Sequence, residues 1–172
     1  RNNYGRLRYV LLYNQQRLSD FVTNYRTTLS VVQQYNIDRG QINDSAILWR
    51  SSLVLPGRNT LRAGVGYLPQ RYEDLDSRGN GAYRVDAGGW WELTLSTDAN
   101  QMFSYSFSAA AISEHIGDWS QSLGAGVTIR PFDAVSIDLD LKYRNRNGWL
   151  VHQGGRNFGR FEANEWQPSF DI

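Results

Sequence analysis

Three groups of side chains have the types and spacing for chemistry. Glu73, Asp74 and Asp76 lie within four positions, followed by Arg78, Gly79 and Asn80. Closely spaced carboxylates beside a turn-forming glycine can hold Ca²⁺ through oxygen ligands. The full calcium-loop pattern is missing and Arg78 is a poor neighbour for the ion, so a solvated or arginine-paired loop is expected instead. Asp138 and Asp140 stand two apart on one strand face, a spacing open to paired-carboxylate acid–base work. Lys142 and Arg144 continue the same line, and a ladder of charges facing water accounts for all four without catalysis. His115 and His152 are the only histidines. A barrel phospholipase needs a Ser–His pair with a third orienting group on its lipid-facing wall, and both histidines fall in expected loops. The chain has no phosphate-cradling glycine motif, histidine metal cluster or nucleic-acid patch. The expectation is a non-enzyme with no cofactor, no metal and no nucleic-acid partner.

Composition sets the bounds. The sequence has 172 residues, a formal charge of +1 and no cysteine, and its basic residues other than Lys142 are arginines spread along the chain. Disulfides and thiol chemistry are thereby excluded, and a polyanion partner has no support. Mean hydropathy is −0.53, and no apolar run approaches the ~18 residues of a membrane helix. Aromatic content of 13 % is high, with ten Tyr and six Trp. Beginning at Arg1 and ending at Ile172 within a strand-like segment, the sequence reads as a piece of a longer protein, a single segment over 1–172 cut at both ends.

The elements that position these residues are strands. Val135, Ile137, Leu139, Leu141 and Tyr143 interleave with Ser136, Asp138, Asp140, Lys142 and Arg144. Phe103, Tyr105, Phe107, Ala109 and Ala111 interleave with Ser104, Ser106, Ser108 and Ala110. A period of two gives each strand one apolar and one polar face. The segments approach or exceed the roughly 9–11 residues with which a tilted strand crosses a bilayer. Nine strands are expected, at 6–14, 22–35, 43–55, 59–67, 90–98, 101–112, 119–130, 133–146 and 161–172. Tight turns are read at Pro56-Gly57-Arg58, Ala99-Asn100 and Pro131-Phe132, and longer links at 36–42, 68–89, 113–118 and 147–160. Outer-membrane barrels alternate short periplasmic turns with longer external loops in this way.

The expected lipid-facing set is Leu61, Val65, Leu93, Leu95, Phe103, Tyr105, Phe107, Leu123, Val127, Ile129, Val135, Ile137, Leu139 and Leu141. The expected lumen-facing set is Arg62, Glu92, Ser104, Ser106, Ser108, Ser122, Gly124, Gly126, Asp138, Asp140, Lys142 and Arg144. Serine and glycine bury too little apolar area to build a dry core, whereas a wet lumen tolerates them. Tyr35, Tyr67, Trp91, Trp119 and Tyr143 are in phase with the apolar face near the long links, the pattern of an interface girdle. Phe103 begins an opposite belt. The first strand is less regular, because Val10 and Leu12 occupy polar-phase positions. Thr23, Tyr25, Thr27, Leu29 and Val31 form an outward face on the second strand, and Ile47, Trp49, Ser51, Leu53 and Leu55 on the third.

An ordered series of signatures runs through the later part of the chain. It comprises Tyr72-Glu73-Asp74-Leu75-Asp76-Ser77-Arg78-Gly79, then Gly89-Trp90-Trp91-Glu92-Leu93 with Ser96-Thr97-Asp98, Gly117-Asp118-Trp119-Ser120, Ile129-Arg130-Pro131 and Glu165-Trp166-Gln167-Pro168-Ser169. Over Leu68–Ile172 the chain resembles the bacterial family DUF5916, whose members join a carbohydrate-binding-module-like sandwich to a C-terminal barrel of outer-membrane type. The family loop continues after Arg-Gly with a further Gly and a Pro, where this chain has Asn80-Gly81-Ala82. The resemblance implies a bacterial outer-membrane location. It also implies that glycan binding, if present, resides in a domain outside these residues.

The reading is all-β: an antiparallel transmembrane barrel segment whose polar lumen serves passage, or encloses a plug or partner protein, with outer-membrane lipid outside. The alternatives are a membrane-anchored glycan-binding or adhesive surface protein and a soluble β-sandwich binding module.

Overall fold

The computed structural model describes residues 3–73, 82–114, 118–132, 135–154 and 157–171. These form eleven strands: β1 (Tyr4–Ser19), β2 (Val22–Asn36), β3 (Gln41–Val54), β4 (Thr60–Leu68), β5 (Arg71–Glu73), β6 (Tyr83–Val85), β7 (Gly88–Ser96), β8 (Phe103–Ser113), β9 (Trp119–Phe132), β10 (Val135–Gly154) and β11 (Asn157–Asp171). Nine make one antiparallel sheet in the order β1-β2-β3-β4-β7-β8-β9-β10-β11, and β5 pairs only with β6. The sheet does not close, since β1 and β11 each have a single neighbour. Among the described residues the second sheet is the two-stranded β5–β6 pair alone, so no two-layer sandwich of comparable sheets forms there.

Each wide neighbour pair is joined through a local connection, and local turn chemistry explains several of them. At Pro56–Arg58 a single 3₁₀ turn links β3 to β4. Gly57 and Arg58 both take positive φ there, at 71° and 60°, and the Leu55 amide closes the turn on the Asn59 carbonyl at 2.7 Å. Leu55, expected on the outward face of the third strand, belongs to this turn. Between β7 and β8 the Asp98 carboxylate accepts from the Asn100 amide at 3.0 Å, an Asx-type turn.

The connections differ from the expected short–long alternation. β2 and β3 are separated by only four residues of sequence, β8 and β9 by five, and β10 and β11 by two. The expected long link at 147–160 is instead a continuation of β10 and β11, which stay paired as far as Gly154 and Asn157. Side chains hold this extension. Arg160 meets the Asp118 carboxylate at 2.6 Å, and the Asn147 amide donates to Ser120 Oγ at 3.1 Å. Tyr143 therefore lies mid-strand rather than at a strand end. Pro131 and Phe132, expected in a turn, are the last residues of β9. A register shift between Val135 and Ile137 sets Phe132 opposite Val135; such a bulge accommodates Pro131 and bends the strand.

The 69–87 connection carries the β5–β6 hairpin, which packs on β3. The Tyr83 ring on β6 lies 4.9 Å from the Phe158 ring on β11. Along a flat sheet β3 and β11 would stand roughly 29 Å apart, six steps of ~4.8 Å. One short hairpin touches both, so the sheet is curled.

The buried apolar residues among those described are only Val32, Ala46, Val85 and Ala111. Hydrophobic stabilisation scales with area removed from water, about 25 cal/mol per Å². The ladder hydrogen bonds define the sheet, but the described residues supply very little core to hold it in water.

Candidate functional site

Register sorts every described strand position onto one of two faces. One unbroken row of paired residues runs Thr28, Arg50, Gly64, Glu92, Ala110, Ser122, Arg144 and Glu165, from β2 to β11. The next row on the same face runs Arg26, Ser52, Arg62, Thr94, Ser108, Gly124, Lys142 and Gln167. A third holds Ser96, Ser106, Gly126 and Asp140, and a fourth Ser104, Thr128 and Asp138. The residues expected to face a lumen all share this side. Those expected to face lipid share the other side, where a typical row runs Leu53, Leu61, Leu95, Phe107, Ala125 and Leu141.

Exposure runs opposite to that of a water-soluble protein. On the apolar side Tyr105 is 55 % exposed, Leu123 50 %, Phe107 46 % and Leu139 44 %. On the polar side Ser104 and Ser120 are buried, as are Gly64, Gly124 and Gly126. Crowding follows from curvature, since the concave side of a curled sheet has less room. A Cβ at Gly126 would stand 2.6 Å from Ser106 Oγ, and one at Gly124 2.5 Å from Ser108 Oγ. Glycine opposite serine lets β8 and β9 approach with their polar faces inward.

Within the concave face, Arg50 Nε contacts Glu92 Oε1 at 3.2 Å, and the Arg50 guanidinium lies 4.8 Å above the Trp90 ring. These line a hollow of about 360 Å³ that also includes Ala110, Ser122 and Arg144. A second hollow of about 240 Å³ adjoins it across Arg50 and Glu92, bordered by Arg26, Thr28 and Arg62. Toward the β3–β4 and β7–β8 turns the face becomes acidic. Thr128 Oγ1 donates to Asp138 at 2.5 Å, and Ser136 Oγ lies 3.4 Å from the other Asp138 oxygen. Asp138, Asp140, Lys142 and Arg144 thus share one line without pairing with one another.

Sequence reasoning passed over Arg26, Arg50 and Trp90. Their phase carries the signal: Arg26 and Arg50 are out of step with Tyr25, Thr27 and Trp49, which belong to the expected outward faces.

For the other candidates, Asp74, Asp76 and His115 lie outside the described residues. Glu73 ends β5. His152 is within β10, opposite Phe158, rather than in a loop. No group of three or more His, Asp or Glu side chains is placed to hold a metal among the described residues.

The aromatic set drifts across the apolar face. Take as baseline the row Leu29, Trp49, Val65, Trp91, Ala111, Gln121 and Asn145. Tyr35 lies six residues toward the loop end of this row, Tyr67 and Trp119 two, Trp91 on it, and Tyr143 two residues beyond it. Trp166 pairs with Tyr143, their rings 4.7 Å apart. Tyr13, Tyr25, Tyr105 and Phe170 join Phe103 toward the opposite end of the same face.

A scan against protein-family models, a search of curated proteins and a search of solved structures each find no match.

Proposed function

We propose that this chain is part of a membrane-spanning β-barrel of outer-membrane type, with hydrocarbon against the apolar face and water against the concave one. The observation that carries the reading is the uncovered face itself. Leu11, Leu29, Trp49, Val65, Leu93, Phe107, Leu123, Leu139 and Phe170, one from each of the nine strands, are all exposed on it, and a wide exposed apolar face marks a surface that meets a partner or a membrane. Lipid is the covering that suits a sheet whose other face, apart from a few apolar residues such as Leu48 and Ile112, is serine, threonine, glycine and charge.

The aromatic drift supports it quantitatively. Between its end members, Tyr35 on β2 and Tyr143 on β10, the set falls by eight residues over six strand steps, although Trp119 stands two residues above Trp91 on the way. With ~3.3 Å per residue and ~4.8 Å per strand, a belt level with the membrane requires strands tilted by roughly 40°. Outer-membrane barrels tilt by about 35–45°. On β2, Tyr25 and Tyr35 are ten residues apart on that face. At this tilt they are separated by roughly 25 Å along the barrel axis, the height of a barrel's apolar band. Closure would come from strands that cover the free edges of β1 and β11, because an open edge is not tolerated in hydrocarbon.

The lumen so formed would serve passage or enclosure. Reconstitution of the full-length protein into liposomes tests the proposal. Insertion with protease-protected strands is expected, and solute conductance separates an open lumen from a plugged one. A stable water-soluble monomer that refuses to insert would overturn the reading.

A further inference from the structure

The concave face separates its charges by height, and this has a chemical consequence that rests on the lumen reading. The two central rows hold Arg26, Arg50, Arg62, Lys142 and Arg144 against Glu92 and Glu165. Glu92 is already paired with Arg50, and Glu165 accepts from Gln167 Nε2 at 2.6 Å. Arg26, Arg62, Lys142 and Arg144 are exposed, and none makes a side-chain ion pair or hydrogen bond to the described residues. The acids Asp138 and Asp140 sit in the rows beyond, nearer the turns.

We infer that this central belt is a binding site for small solutes carrying more than one phosphate or carboxylate group. Lys142 and Arg144 stand two residues apart on one strand face, where like charges are costly unless countered, and with no partner among the described residues the four cations can take their countercharge from a bound anion. Their arrangement suits one. Arg26 and Arg62 flank one side and Lys142 and Arg144 the other. Between them lies a floor of Thr94, Ala110, Ser108, Ser122 and Gly124, small enough to leave room and carrying hydroxyl donors. The β4-to-β10 span is four strand steps, roughly 19 Å along the curve, so a solute with separated anionic groups bridges the flanks better than a single ion. Three of the four free cations are arginines, whose planar forks bind carboxylate and phosphate in bidentate fashion.

Calorimetry with inorganic phosphate and tripolyphosphate, on the full-length protein in detergent at low ionic strength, tests this. Tripolyphosphate is expected to bind more tightly than phosphate, and both should weaken as salt screens the belt. Arg62→Gln with Arg144→Gln should weaken tripolyphosphate about tenfold or more, whereas Asp138→Asn with Asp140→Asn should not weaken it. Because Arg62 and Arg144 hold no side chain in place, the double variant should keep its β-sheet circular dichroism. Absent binding, or equal affinity in the double variant, would overturn the inference. A planar-bilayer reversal potential separates the two readings. Binding lost in the variant without any conductance keeps the site and removes passage. Conductance whose ion preference is the same in the variant keeps passage and removes the site.

Discussion

The two faces of the sheet share one backbone and obey opposite rules. On the convex face large side chains such as Tyr105, Phe107 and Leu123 stand apart and exposed. On the concave face small or polar ones crowd until glycine is needed, and Ser104 and Ser120 are buried. A water-soluble fold would place its bulk where the room for packing is enclosed. Here bulk is placed where no described residue covers it, and the proposed reading puts the apolar solvent outside the curve.

The widest separation between faces should appear on β2, within adjacent residues. Leu29→Arg places a charge midway between Tyr25 and Tyr35 on the apolar side, and should cost about 2–4 kcal/mol of folding stability in bilayers. Thr28→Glu, beside Arg26 and Arg50 on the concave side, should cost little. Reversible urea unfolding of the full-length protein from liposomes measures both, and equal costs would break the comparison. Gly126→Val should come next, at about 1–3 kcal/mol, because a side chain there runs into Ser106 and Asp140. Ala125→Val, one residue away on the roomy face, should stay within about 0.5 kcal/mol. The same unfolding series reads the pair.

Tyr83→Leu keeps much of the apolar bulk but removes the ring contact with Phe158, a loss of about 0.5–1.5 kcal/mol. It should also raise protease cleavage within 69–87, which tests whether this ring contact holds the hairpin. Glu92→Gln should have the smallest effect, below about 1 kcal/mol, since the Arg50–Glu92 pair is about half exposed and water screens it. A cost several times larger would mean that this face is dry.

Much of the sidedness was legible in the sequence because β8, β9 and β10 alternate with a clean period of two. Ser106 and Phe107 could be sorted without any structure. The β10–β11 extension was not legible. Asn147-Gly148 and Gly154-Gly155 fall within the link expected at 147–160, and what keeps the strands paired is distant: Arg160 against Asp118 and Asn147 against Ser120. In β1 the alternation lapses at Val10 and Leu12, both on the concave side and both exposed, and nothing in the described residues explains them. The basic belt was hidden for a different reason. Arg26, Arg62 and Arg144 lie far apart in sequence and become neighbours in height only through register. No local pattern encodes that.

The most direct test places single cysteines in a cysteine-free full-length background, an arrangement this segment favours because it has none. Spin labels at Leu139→Cys and Asp138→Cys, in liposomes, are compared for relaxation by lipid-soluble oxygen and by a water-soluble nickel chelate. The account requires oxygen to dominate at 139 and the chelate at 138. The reverse order, or chelate access at both positions, would contradict it.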